Sequence, residues 1–185
     1  GVYGDQGGAW VYEDTPIHPT SPEAVRRAMA ERQWAGQGAS IFRLPGIYGP
    51  MRSVLDRLRA GTAQAIMKPG QVFSRIHVDD IASGLEAAIL LEKPIKNRVF
   101  HLCDDEPAAP QDVLWYAADL LGVPRPEPVP FEQADLSPMA RRFYSECKRV
   151  SNVHTKQDLE WAPTYPTYRE GLAAILRSEA VQFDT

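Results

Sequence analysis

A chain of 185 residues and 20.6 kDa fits one domain, or one domain with a small appended lobe. With 44% apolar and 24% charged residues it can bury a real core, which excludes disorder as the main state. The 20 Lys and Arg against 24 Asp and Glu leave a net charge of -4, so there is no cationic surplus for a dedicated nucleic-acid binder.

In chain order, Gly1-Val2-Tyr3-Gly4 reads as the end of a strand already in progress. Ser21-Pro22-Glu23 starts a helix, with Ser21 as N-cap and Pro22 where a missing N–H costs nothing; Gly36 and Gly38 stop it. A short apolar strand over 39–44 runs into the loop Pro45-Gly46-Ile47-Tyr48-Gly49-Pro50. Val54, Leu55 and Leu58 predict a short helix ended by Gly61, and 71–78 predicts another strand. Asp79 or Asp80 is expected to cap the next helix, whose face carries Ile81, Leu85, Ala88 and Ile89. A strand over 98–103 precedes a helix opened by Pro110 and stopped by Gly122. After Val123 the pattern turns to Pro-rich loops and short helices, then a final helix with Thr167 and Glu170 as a capping box. Alternating strands and helices argue for α/β, with residues 1–122 as the main domain and 123–185 as a smaller lobe interleaved with it.

The 16 prolines cluster at 16–22, 124–130 and 163–166, which keeps elements short. Two cysteines make no disulfide framework, so a reduced, cytoplasmic setting is the expectation. No apolar run approaches the roughly 20 residues of a membrane span. The histidines are scattered and predict no metal site.

Four segments occur in one order: Val2-Tyr3-Gly4-Asp5, Arg43-Leu44-Pro45-Gly46-Ile47-Tyr48-Gly49-Pro50, Arg75-Ile76-His77-Val78-Asp79-Asp80, and Trp161-Ala162-Pro163-Thr164 with Glu170-Gly171-Leu172. Together they resemble the latter part of the NAD(P)-dependent epimerase/dehydratase family, the extended and atypical short-chain dehydrogenase/reductases. The resemblance implies the C-terminal part of a Rossmann-type parallel sheet with a smaller mixed substrate-binding lobe. It implies NAD or NADP as cofactor, a small-molecule substrate, and oxidation or reduction at a carbinol or carbonyl carbon; a non-catalytic NADP(H) sensor or scaffold is the alternative. No G-x-G-x-x-G or G-x-x-G-x-x-G is present to hold a pyrophosphate. The chain therefore reads as a fragment, with a missing N-terminal segment, a longer parent chain or a homodimer expected to cover its exposed faces.

The family's Tyr-x-x-x-Lys maps onto Glu23 and Arg27, which is a departure. One reading is a surface salt bridge at i, i+4; the other keeps Arg27 as a cofactor contact and moves proton transfer elsewhere. Tyr48 and Tyr3, both beside glycines, join Glu23 as candidate catalytic groups, with aromatic packing as the alternative. The resemblance places Pro45, Gly46 and Ile47 on the cofactor side, and Arg75 and His77 at the substrate crevice. The family's diphosphate-binding Arg is replaced by Phe73, which disfavours a nucleotide-diphosphate sugar. Arg141-Arg142 and Lys148-Arg149 form a small basic cluster suited to a solvated face or to an anionic substrate or cofactor phosphate.

Overall fold

The computed structural model describes residues 1–183. Its strands are short and pair only in parallel, two at a time. In chain order β1 (Trp10–Val11) is followed by α1 (Pro22–Ala35), β2 (Ile41–Arg43), β3 (Gly46–Tyr48), α2 (Val54–Arg59), β4 (Ala65–Met67), β5 (Arg75–His77) and α3 (Val78–Leu90). Then come β6 (Val99–His101), α4 (Pro110–Leu121), β7 (Pro128–Pro130), α5 (Pro138–Phe143), β8 (Arg149–Val150), α6 (Val153–Asp158) and α7 (Tyr168–Phe183). β2 pairs with β6, β3 with β5, β4 with β7, and β1 with β8. The last two pairs join the tail lobe to the first part of the chain, because each takes one strand from either side of Gly122.

Local chemistry sets most helix ends. Ser21 accepts from the Ala24 amide at 3.1 Å and Pro22 occupies the first turn of α1. Gly122 ends α4 in the left-handed region at φ 66, which costs a glycine nothing. Thr167 and Glu170 form the expected box: the Thr167 amide donates to Glu170 Oε2 at 3.0 Å, and the Arg169 amide donates to Thr167 Oγ1 at 3.1 Å. One expected cap is corrected. His77, rather than Asp79 or Asp80, is the N-cap of α3, its Nδ1 accepting from the Asp79 amide at 3.2 Å. Asp80 is turned inward, fully buried, where it accepts from the amides of Thr164 at 2.6 Å and Tyr165 at 3.1 Å. The strand expected over 71–78 shrinks to Arg75–His77. Upstream of it, Gln71 donates to the Glu146 carbonyl and Ser74 accepts from the Val150 amide, so side chains take over from a strand ladder.

Two apolar clusters carry the core. Ile76, Phe100, Leu102, Leu159 and Trp161 gather where β5 and β6 meet α3 and the end of α6. Tyr48, Leu55, Val113, Ala117, Tyr168, Leu172 and Ile175 gather among β3, α2, α4 and α7. Tyr168, Leu172 and Ile175 lie at i, i+4 and i+7, one face of α7. Each such fully buried aliphatic side chain stabilises the fold by about 1.5–3 kcal/mol.

Candidate functional site

In parallel α/β sheets ligands bind beyond the carboxyl ends of the strands. Beyond β2 lie Leu44 and Pro45, then Gly46, which is exposed; Pro45 and Ile47 are half-buried. A Cβ placed on Gly46, the first residue of β3, meets nothing nearer than the Ser74 carbonyl at 3.4 Å, so the start of this strand is open on that side. The first turn of α1 abuts Gly1, whose added Cβ would sit 3.3 Å from Ala24 Cβ. Arg27 is exposed on this helix. Gly1 thus packs on the first turn of α1.

Glu23 is exposed in the first turn of α1. It pairs with Arg26 at 3.5 Å and Arg142 at 4.0 Å, not with Arg27, which corrects the expected i, i+4 salt bridge. Its carboxyl is held below the usual range, first by its own backbone N–H at the helix start and then by Arg142 and Arg26. Arg27 makes no ion pair among the described residues.

The two candidate phenols are both buried and belong to different core clusters. Tyr3 Oη lies 2.6 Å from His101 Nε2, accepts from Arg43 Nη1 at 2.5 Å, and is 3.0 Å from the Tyr12 carbonyl. His101 Nδ1 is 2.8 Å from the Ser151 carbonyl, which can only accept; Nδ1 therefore carries the proton and Tyr3 donates to Nε2. Arg43 in turn reaches Glu31 at 2.7 and 3.1 Å. Burial raises the Tyr3 phenol and lowers the His101 imidazole, keeping both neutral. This network was invisible in the sequence, since Tyr3 and His101 are 98 residues apart.

Tyr48 sits under α7. A Cβ on Gly171 would fall 2.0 Å from Tyr48 Oη, so only glycine lets the helix close over the phenol. That hydroxyl has no partner, and burial raises its pKa far above the ordinary value. His77 packs edge-on to Tyr48 at 5.2 Å and against Tyr165 at 4.3 Å, and burial lowers its pKa. The Arg75 guanidinium points inward to the carbonyls of Phe73 at 2.7 Å and Ala108 at 3.2 Å. Arg75 and His77 are thus both turned into the packing. Asp104, 1% exposed and with both carboxylate oxygens unpartnered, is pushed by burial up to about 8.

Two shallow cavities occur at the opposite, amino ends of the strands. One of about 330 Å³ lies among Glu13, Arg98, His154 and Asp158; the other, of about 420 Å³, among Phe42, Ala88, Leu91 and Ile95. Neither touches a residue expected to be catalytic or to bind cofactor or substrate. Among the described residues no group of three or more His, Cys, Asp or Glu is arranged to hold a metal, and no helix is long and apolar enough to cross a membrane.

No protein-family profile matches the chain. A 3-diazoavenalumate denitrifying reductase from a Streptomyces species is 28% identical over 90% of this chain and 59% of its own length. A structure of a functionally unknown conserved protein from Silicibacter pomeroyi is 50% identical with a TM-score of 0.90, covering 96% of this chain and 63% of that one. A dTDP-glucose 4,6-dehydratase from Streptomyces venezuelae, solved with NAD bound, superimposes with a TM-score of 0.74 at 18% identity, over 99% of this chain and 58% of that one. The fold is that of the NAD(P)-dependent epimerase/dehydratase family. The chain spans about 60% of the length of these proteins and shares the Rossmann-type architecture of their latter part.

Proposed function

We propose that this chain forms the substrate side of an NAD(P)-dependent oxidoreductase of epimerase/dehydratase or reductase type, acting at a carbinol or carbonyl carbon. The observation that carries the reading is the open backbone at the carboxyl end of β2, where Gly46 is exposed and a Cβ on it would meet nothing nearer than 3.4 Å. Arg27, exposed on α1, is a cation without an ion-pair partner among the described residues. These residues fit a dinucleotide: Arg27 would hold a ribose or phosphate oxygen, and Pro45, Gly46 and Ile47 would face the nicotinamide. Bound there, the nicotinamide supplies or accepts hydride. The likeness to a denitrifying reductase and to an NAD-bound dehydratase supports the same chemistry.

A Gly-rich phosphate turn would come from outside these 185 residues, on a companion segment or second subunit that also covers the apolar faces of α1 and α3. Val25, Met29 and Trp34 are exposed on α1, as are Leu85, Ile89 and Leu90 on α3. Cys103 and Cys147 are both free, as in a reduced cytoplasmic setting. A second reading, a non-catalytic NADP(H) sensor, is favoured by one observation: Glu23 and Arg27 replace the family's Tyr and Lys, and Arg cannot give up a proton. Calorimetric titration of NAD and NADP into full-length protein tests the cofactor. Micromolar binding, weakened at least tenfold in Arg27→Ala, is expected; no binding of either overturns both readings. Turnover of a carbonyl or alcohol panel at 340 nm separates enzyme from sensor.

A further inference from the structure

The two cavities at the amino ends of the strands differ in what they can hold. In the one among Glu13, Arg98, His154 and Asp158 the charges answer one another. His154 Nδ1 lies 3.1 Å from Glu13 Oε2, Thr155 Oγ1 donates to Glu13 Oε1 at 2.7 Å, and Arg98 pairs with Asp158. Little charge is left there for a ligand. The other, of about 420 Å³, combines an apolar wall with a rim whose charge is unanswered.

Its wall is Phe42 of β2, Ala88 near the end of α3, and Leu91 and Ile95 of the connection from α3 to β6. Ala88 is buried and the other three are half-buried. Phe42 stacks on the fully buried Phe100, with ring centroids 5.2 Å apart and planes 22° from parallel, so the aromatic part of the wall is fixed from behind. The connection is tied down as well. Ser40 Oγ donates to the Ile95 carbonyl, the Ile41 amide donates to the Arg98 carbonyl at 2.8 Å, and Asn97 turns the chain at φ 58, a left-handed conformation that Asn tolerates. At the rim stand Lys93 and Lys96, both exposed. Among the described residues the lysines that make ion pairs are Lys148 and Lys156, so both rim ammoniums are unpaired. Glu92, next to Lys93, is exposed and does not line the cavity, and no other carboxylate does.

We propose that this cavity is a binding site for a small amphipathic anion, a flat aromatic carboxylate whose ring lies against Phe42, Ala88, Leu91 and Ile95 and whose carboxylate meets Lys93 and Lys96. A volume of about 420 Å³ with a carbon wall and a few charges at its mouth is the make-up of a small-molecule site. The lysine stems can lie along apolar wall while their heads reach the anion. A neutral hydrocarbon would leave both ammoniums without a partner, and a cation would be repelled by them. The cavity opens at the amino end of β2, whereas Gly46 lies beyond the carboxyl end of that strand. The site is therefore separate from the proposed cofactor contacts and stands whether or not the oxidoreductase reading does.

The test is an NMR titration of full-length protein, methyl-labelled at Ala, Ile and Leu, with 2-naphthoate, with its neutral amide 2-naphthamide, and with acetate. Saturable shifts of the Ala88, Leu91 and Ile95 methyls are expected with 2-naphthoate, at a Kd of about 1 mM or below. The amide is expected to bind at least fivefold more weakly, and acetate not at all. Lys93→Gln combined with Lys96→Gln should weaken 2-naphthoate at least fivefold and leave the amide within twofold. Ala88→Leu, which fills the cavity, should weaken both at least fivefold. Absence of saturation at these methyls overturns the site. Equal binding of acid and amide, unmoved by the two lysine substitutions, overturns the anionic class. Methyl shifts that follow protein concentration without ligand put a second copy in the cavity, which also overturns the proposal. Should Ala88→Leu fail to fold, the lysine pair on the exposed rim decides.

Discussion

The packing beneath α7 and the exposed side of α1 are built on opposite plans. Beneath α7, segments that carry the family resemblance lock into one another. Gly171 closes over Tyr48, Asp80 accepts from Thr164 and Tyr165, Trp161 Nε1 donates to Ser83 Oγ at 3.0 Å, and a Cβ on Gly49 would meet Val78 Cγ1 at 2.7 Å. On α1, by contrast, Glu23 and Arg27 are exposed and depart from the family pattern. The motifs that identify the fold are thus largely packing residues, and the groups free to do chemistry are those the motifs do not contain. That is why a clear fold likeness leaves the reaction open.

The comparison can be broken most sharply at the buried end. Gly171→Ala drives a methyl into Tyr48 Oη, and a loss of about 3 kcal/mol is expected from overpacking, read by denaturant unfolding. Gly171→Ala combined with Tyr48→Phe should recover part of it, because the clashing oxygen is gone. Arg43→Met comes close behind: it strands Glu31, whose side chain is 13% exposed, and removes the donor to Tyr3, for a loss of about 3 kcal/mol. A smaller loss in Arg43→Met paired with Glu31→Met would show that the stranded carboxylate carries the cost.

A subtler break uses pH. Asp104 is raised from 3.8 to about 8 by burial, against the attraction of Arg75, so between these values the folded chain holds a proton that the unfolded chain releases. Stability therefore falls as pH rises through that window, by at most about 1.4 kcal/mol per unit. Asp104→Asn should flatten this part of a stability profile measured from pH 5 to 8; an unchanged slope would place the titration elsewhere. At the small end, Ser21→Ala removes one helix cap and about 1 kcal/mol. Glu23→Gln, on the exposed first turn of α1, is expected to leave the unfolding midpoint where it is, so that any change in cofactor binding or turnover comes from the α1 surface alone.

The sequence by itself determined whatever is decided within one or two helical turns. Ser21-Pro22, Gly122 and the Thr167–Glu170 box act on backbone groups three or four residues away, and each does in the structure what its local chemistry dictates. The α/β alternation was legible for the same reason, since α3, α4 and α7 are long enough for their apolar faces to repeat. Tertiary structure decided the rest. β1, β4, β7 and β8 have two or three residues each, too few for a period to register, and Pro128-Val129-Pro130 reads locally as a breaker. These become strands because parallel pairing draws its hydrogen bonds from a partner far along the chain. The same distance hid His101 behind Tyr3, and it turned Asp80 from an expected cap into a buried acceptor. A side chain's role in a site depends on which remote backbone reaches it, and only the folded chain brings that backbone near.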